Sequence, residues 1–259
     1  MSDAIQALLD QLIAQARAAK PDHVPLIGVA GAQGSGKSYQ CRRYVATNPR
    51  VAHFSLDDVY FTKAERVELS KRVHPLFATR GPPGTHALGL ALSTIAALRK
   101  ASPATQTPLP RFDKAADDRA PAHTWHTFSG RPDAILFDGW CLGALPDALG
   151  DAPLNALEAE EDAEGRWRAA VRADLAERYA LFFSHFDAIL YLAAPNWEIV
   201  KHWRAEQEAE TLGRALTATD HARLDRFLMH YERITRSMMA GQRAATHCIE
   251  LSEDRAALP

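Results

Sequence analysis

The chain has 259 residues, 47% hydrophobic and 24% charged; a globular chain of this size buries about three-quarters of its unfolded surface, so disorder and fibrous architectures are excluded. Thirty Lys and Arg against 32 Asp and Glu give a formal charge of -2, which leaves no broad cationic face for a nucleic-acid backbone and points to a small anionic ligand. Cys41, Cys141 and Cys248 lie far apart without a CxxC or His-rich neighbour, which argues against a disulfide framework or a zinc site and for a reducing cytoplasm.

Taken in chain order, the first pattern is helical. Ile5, Leu8, Leu9, Leu12, Ile13 and Ala16 follow the i, i+3, i+4, i+7 spacing, which predicts an amphipathic helix over 1–20 with Asp3 as its N-cap. Asp3 and Asp10 interrupt this stretch, unlike a signal peptide, and no apolar run approaches the roughly 20 residues that span a bilayer. After Lys20, Pro21 and Asp22, residues 25–30 form a short apolar run of the kind that fills a parallel strand buried on both faces. Similar runs recur at 51–56, 134–137, 188–192 and 246–251. Helical patterns cover 37–47, 85–100, 166–183, 197–212 and 220–240. Turn chemistry marks 80–84 and 101–121 as loops. Glu158 to Glu164 is an acidic patch that reads as a solvated helix start, and Cys141 and Cys248 read as small core hydrophobes in or at strands. Neither loop divides two cores and no repeat is present, so 1–259 reads as one α/β domain with right-handed crossovers.

The segment Gly31, Ala32, Gln33, Gly34, Ser35, Gly36, Lys37, Ser38 matches G-x-x-x-x-G-K-[ST] in full, between a predicted strand and a predicted helix. Its glycines let successive backbone N–H groups turn toward an anion, and the helix that begins there, continuing through Tyr39, adds its positive dipole end. Lys37 is expected to reach the β and γ phosphates of ATP and the Ser38 hydroxyl to ligate Mg2+. The buried run 134–137 ends in Asp138 and Gly139, which supplies the acid expected beside the metal's water shell.

A hydrolase and a kinase share such a loop; the residues that hold a second substrate decide between them. Asp57 and Tyr60 follow the second strand at the carboxyl edge of the sheet, where ligands of open α/β folds bind. A carboxylate there orients an acceptor hydroxyl and takes its proton late in transfer. Arg80, His86, Arg111 and Lys114 cluster in the two irregular loops, and guanidinium forks suit a small carboxylic acid. Arg204, early in the helix after the fourth strand, is a candidate in-chain arginine finger in a lid over 197–215; the alternative is an Arg204 to Glu208 helix pair. A nucleoside acceptor calls for stacking aromatics, which 80–86 lacks. A GTP switch calls for N-K-x-D, and the nearest string, Thr62, Lys63, Ala64, Glu65, ends in Glu.

In order, Gly31 to Ser38; Ser55, Leu56, Asp57, Asp58, Val59, Tyr60; Arg80, Gly81, Pro82, Pro83, Gly84, Thr85, His86; Pro110, Arg111, Phe112, Asp113, Lys114; Phe137, Asp138, Gly139, Trp140; and Trp203, Arg204 resemble the D-glycerate 3-kinase family. That family belongs with the uridine kinase, pantothenate kinase and phosphoribulokinase branch of P-loop kinases. The resemblance implies a five-stranded parallel sheet in the order 2-3-1-4-5 flanked by helices, and ATP-dependent phosphorylation of D-glycerate to 3-phosphoglycerate. It also implies Asp57 as the acceptor-side base and Tyr60 as a pocket aromatic. The alternatives are another acceptor of the same branch (pantothenate, a nucleoside or a sugar phosphate) or a regulatory ATPase. Two departures stand out: Ala87 follows His86 where the family has Asp, which loosens contacts to the acceptor's hydroxyls, and Asp138 stands where the family has Glu.

Overall fold

The computed structural model describes residues 3–258, with side chains from residue 4 onward. The N-cap expected of Asp3 therefore concerns a side chain outside the described residues. Helix α1 (Asp3–Ala19) leads into β1 (Leu26–Gly31), α2 (Lys37–Thr47), β2 (Val51–Ser55), α3 (Lys63–Arg72) and α4 (Leu88–Lys100). Four short strands follow, β3 (Gln106–Pro108), β4 (Phe112–Asp113), β5 (Asp118–Arg119) and β6 (Thr127–Ser129). The chain then passes through β7 (Ala134–Gly139), α5 (Ala156–Glu161), α6 (Arg166–Asp174), a π turn at Leu175–Tyr179, α7 (Ala180–Phe183), β8 (Ala188–Ala193), α8 (Trp197–Leu212), α9 (Ala218–Met239) and β9 (His247–Glu250).

The main sheet is parallel throughout, in the order β2-β7-β1-β8-β9; counted among these five strands alone, that is 2-3-1-4-5. Every residue of β1 and β7 is buried, as a sheet covered on both faces requires. Alternation along β1 sends Leu26 and Ala30 into one core with α4, α6 and α7, and Ile27 and Val29 into the other with α1, α2, α8 and part of α9. Ile5, Leu9, Leu12 and Ile13 of α1 close the second core, as their spacing predicts.

Four local readings differ from the sequence expectation. Helix α3, KAERVELSKR, is too polar for a periodic stripe, and its start comes from a capping box between Thr62 and Glu65. The loop at 101–121 contains β3, β4 and β5, with β4 pairing β5 and β3 pairing β6. The acidic patch is solvated only in part: Glu160, Glu161 and Glu164 are exposed, but Glu158 and Asp162 are buried, Glu158 accepting from Arg233 Nε at 2.8 Å and Asp162 from Arg168 Nε at 3.0 Å. Cys141 is buried as expected, whereas Cys248 is exposed, because β9 is an edge strand with one side facing out.

Candidate active site

The loop between β1 and α2 needs its glycines for reasons visible atom by atom. Gly34 has φ +78°, and a Cβ there would sit 2.6 Å from Trp203 Cβ, because the start of α8 packs directly on the loop. Arg255, on the turn after β9, donates from Nε to the Gly34 carbonyl at 2.7 Å while its guanidinium lies over Trp203, 5.1 Å from the ring centre. Burial pushes the Lys37 ammonium below its ordinary pKa, with Asp138 and Asp57 partly offsetting this, and Lys37 Nζ donates to the Ala32 carbonyl at 2.8 Å. Ser35 Oγ and Gln33 Nε2, in the same loop, are buried donors without partners among the described residues. Tyr39 is half exposed on the outer side of α2. The donor set of Lys37, two orphaned polar groups and a left-handed glycine turn fits a phosphate chain.

Sheet register builds the acid beside this loop. Asp138 pairs in register with Ser55 on one side and Val29 on the other, so its side chain shares a face with those of Ser55 and His53. Asp138 Oδ2 accepts from Ser38 Oγ at 2.7 Å, Oδ1 lies 2.7 Å from His53 Nε2, and the Asp138 carbonyl accepts from Ser55 Oγ at 3.1 Å. Ser38 and Asp138 thus present hard oxygen donors side by side, the ligand chemistry Mg2+ requires.

The two adjacent aspartates after β2 divide their labour. Asp58 closes a capping box, accepting from Ser55 N at 2.9 Å. Asp57 faces the pocket and accepts from Lys114 Nζ at 2.6 Å and from Tyr60 OH at 2.7 Å. Burial pushes Asp57 up, but the charge and hydrogen bond of Lys114, the Tyr60 hydroxyl and the charge of Lys37 outweigh it and hold the carboxyl well below the usual range. Burial first, then the charges of Asp138 and Asp57, push Asp58 up to about 6 against the pull of its Ser55 bond. Since the unfolded value is about 3.9, the stability this raised pKa lends is complete below that pH and lost as pH rises through 6. Asp58→Asn is expected to abolish a loss of roughly 2 kcal/mol between pH 4.5 and 7.5, read by urea unfolding at both values; an unchanged pH slope would count against this assignment.

The R-G-P-P-G-T-H segment is pinned from several sides. Tyr231 OH donates to the Arg80 carbonyl at 3.0 Å and Trp140 Nε1 to the Gly81 carbonyl at 3.1 Å. Gly81, at φ +122°, has no room for a side chain, since a Cβ would fall 1.8 Å from Tyr231 Oη. His86 is fully buried, stacks on Tyr60 at 4.7 Å and hydrogen-bonds through Nδ1 to Tyr179. The Tyr179 hydroxyl also accepts from Gly84 N at 3.3 Å and so ties the ring to the R-G-P-P-G-T-H backbone. Burial drives the His86 pKa down to about 3, so the ring is neutral, and its Nε2 is buried without a partner among the described residues.

In P-R-F-D-K, Phe112 packs between the Tyr60 ring, 5.1 Å away, and the Arg80 guanidinium, 5.6 Å away. Asp113 folds the turn by accepting from the backbone of Ala115 and Ala116. Asp57, Tyr60, Arg80, His86 and Lys114 are therefore brought together. Arg111 is exposed; its carbonyl accepts from Ala120 N at 2.9 Å, while its side chain forms no hydrogen bond or ion pair among the described residues and its charge acts on Asp113. Arg204 pairs with Glu208 at 2.8 Å, the helix-pair alternative.

Three supporting residues escaped the sequence reading. Arg66 of α3, almost fully buried, donates to the carbonyls of Ala78 and Asp117 at 2.7 and 2.6 Å and pairs with Asp117 Oδ2 at 2.9 Å. Asp117 also pairs with Arg80, and Tyr179 lies in the π turn, a device frequent at functional sites. No local pattern marks them, because each acts across tens of residues.

The chain is 30% identical over 230 residues to an uncharacterized kinase, mug58, of Schizosaccharomyces pombe, covering 82% of this chain and 80% of that protein. It is 30% identical over 200 residues to a chloroplastic D-glycerate 3-kinase of Arabidopsis thaliana, covering 72% of this chain and 42% of the plant protein. A D-glycerate 3-kinase of Cryptococcus neoformans superposes over 100% of this chain and 99% of its own with a TM-score of 0.74 at 20% identity. The chain belongs to the D-glycerate 3-kinase family. No family model matches it. As a member of that family it is a phosphotransferase with a hydroxyl acceptor.

Where the D-glycerate 3-kinase family has Asp after G-T-H, Ala87 stands at the N-cap of α4 and makes no side-chain cap bond. A carboxylate there would accept from the first free N–H groups of the helix. Ala87→Asp is expected to raise stability by about 1 kcal/mol, seen as a higher midpoint in urea; a fall in midpoint would count against the capping role. The shorter family-position acid, Asp138, is held by three neighbours at once, which compensates in rigidity for its lost reach.

Proposed function

We propose that the chain is an ATP-dependent kinase that phosphorylates D-glycerate to 3-phosphoglycerate. The observation that carries this reading is Asp57, an ionised carboxylate joined to Lys114 and Tyr60 within the electrostatic reach of the phosphate-loop Lys37. An acceptor hydroxyl at Asp57 attacks the γ phosphorus; the bond from that phosphorus to the bridging oxygen breaks, ADP leaves, and the hydroxyl proton passes to Asp57 and then to solvent. We assign ATP to residues 31–39, with Lys37 on the transferring phosphoryl group, and Mg2+ to Ser38 and Asp138. Bound Mg2+ neutralises charge on the phosphate oxygens. Lys114, Arg80 and Arg111 are assigned to the acceptor's carboxylate side, Tyr60 and His86 to its hydroxyls, and Arg204 to the lid at 197–215, where it leaves Glu208 on closure to meet transition-state charge. Residues 1–259 act as one kinase domain with a small hydroxy acid as partner. Among the described residues no helix is long and apolar enough to cross a membrane, and three unpaired cysteines suit a reducing cytoplasm.

The test is ADP release with Mg-ATP and D-glycerate, L-glycerate, uridine, pantothenate or ribulose 5-phosphate. Turnover confined to D-glycerate is expected; turnover with another acceptor alone, or steady hydrolysis without any, would replace this reading by a sister kinase or a regulatory ATPase. In the same assay Tyr179→Phe, which removes the hydroxyl bonded to His86 Nδ1, is expected to raise the acceptor KM about tenfold with little change in the KM for ATP; equal rises in both would assign Tyr179 to general folding.

A further inference from the structure

Two side chains beside the nucleotide loop have no part in the chemistry above. Cys41 hangs fully buried from α2, and His53 lies in the middle of β2, its side chain 13% exposed. The register that pairs His53 with Leu136 and Ser55 with Asp138 aims His53 and Asp138 from the same face of adjacent strands, beneath α2. Cys41 Sγ, a His53 ring nitrogen and an Asp138 carboxylate oxygen consequently all lie within 4.8 Å of one another. We propose that Cys41, His53 and Asp138 form a binding site for a borderline-soft divalent cation of the zinc class, and that its occupation blocks the kinase by taking Asp138 from Ser38.

The donor set selects the metal. Thiolate, imidazole and carboxylate together suit zinc, whereas Mg2+ avoids sulfur and keeps oxygen ligands. Charge also balances: one thiolate and one carboxylate cancel the cation's two charges while the imidazole stays neutral, so the buried complex carries no net charge to desolvate. Binding releases the Cys41 thiol proton to solvent. Ligand atoms around a tetrahedral zinc stand about 3.3 to 3.6 Å apart, so the 2.7 Å contact of His53 with Asp138 has to open by at least about 0.6 Å and the wider pairs, all within 4.8 Å, to close by at most about 1.3 Å. The fourth position falls to water, which leaves the Ser38 hydroxyl without the Asp138 oxygen it now meets at 2.7 Å. The spacing of these residues along the sequence carries no zinc signature, which is why the cysteine pattern argued against one.

Binding rests on these three side chains alone; the blockade rests on the kinase reading. Co2+ titrated into the nucleotide-free full chain is the probe. A thiolate-to-cobalt charge-transfer band at one equivalent is expected, displaced by Zn2+ and lost in Cys41→Ala. Excess Mg-ADP is expected to abolish the band, a readout independent of any acceptor. Zn2+ is expected to inhibit phosphoryl transfer, with Cys41→Ala at least tenfold less sensitive and unchanged in its Mg-ATP activity. No band, or a band that survives Cys41→Ala and so arises at exposed Cys248, would overturn the site. A band indifferent to Mg-ADP, or Zn2+ inhibition equal in both proteins, would overturn the blockade. Should Cys41→Ala fail to fold, Cys41→Ser is read instead, with the same shift in Zn2+ sensitivity expected. If cobalt binds through Cys41 and Mg-ADP expels it while no acceptor turns over, the substrate reading falls and the metal site stands.

Discussion

Asp57→Asn is expected to lower kcat by about two to four decades while leaving ATP binding nearly unchanged. The amide keeps the shape of the carboxylate and can still accept one bond, but it has no charge for Lys114, 2.6 Å away, and no lone pair basic enough to take the acceptor's proton. The loss is therefore expected on the transfer step, because the loop proposed for the triphosphate offers main-chain groups and Lys37 that the substitution does not touch. The native carboxyl lies well below the ordinary range despite its burial. Such a group stays ionised through the whole mildly acid range, and the stability it lends is lost only as pH falls from the unfolded value of about 3.9 through its depressed folded value. An acid limb of kcat/KM above pH 5 must consequently come from another group. Isothermal titration with ATP and steady-state kinetics on the same preparation test both halves; turnover like that of the native chain would remove Asp57 from its role.

Arg233→Met is expected to destabilise the fold by about 3 to 5 kcal/mol. Glu158 has no exposed surface and rests chiefly on Arg233, with Leu154 N as a further donor at 2.7 Å and the buried Arg168 as a more distant ion-pair partner at 3.9 Å. Arg233 also donates to the carbonyls of Leu149, Gly150 and Ala152, so its removal leaves one buried anion and several carbonyls short of donors. The double variant Glu158→Gln with Arg233→Met is expected to recover part of the loss, since it removes the stranded charge as well as its partner. Urea unfolding of the two variants checks this; a single variant within 1 kcal/mol of the native chain, by the same bound, would show that Glu158 finds another partner.

The strands were legible because a parallel sheet buried on both faces leaves a nearly continuous apolar run, as in β1 and β7. The phosphate loop was legible because its glycines and Lys37 must be adjacent in the chain. The same logic fails for residues that act at a distance. Arg66 and Asp117 meet across 51 residues and carry no periodic signal, and the polar α3 offers no apolar stripe. Glu158 looked solvated because its neighbours in sequence are acidic, whereas its neighbour in space is a guanidinium 75 residues away. Asp57 and Asp58 are indistinguishable as letters; only the capping geometry of Ser55 tells the structural carboxylate from the one facing the pocket.

The bond from Arg255 to the Gly34 carbonyl spans 221 residues. The glycine turn therefore gains this brace only once the segment after β9 has docked on it. A chain truncated before residue 255 lacks this clamp, so the two ends of the described fold are tied together at the glycine turn.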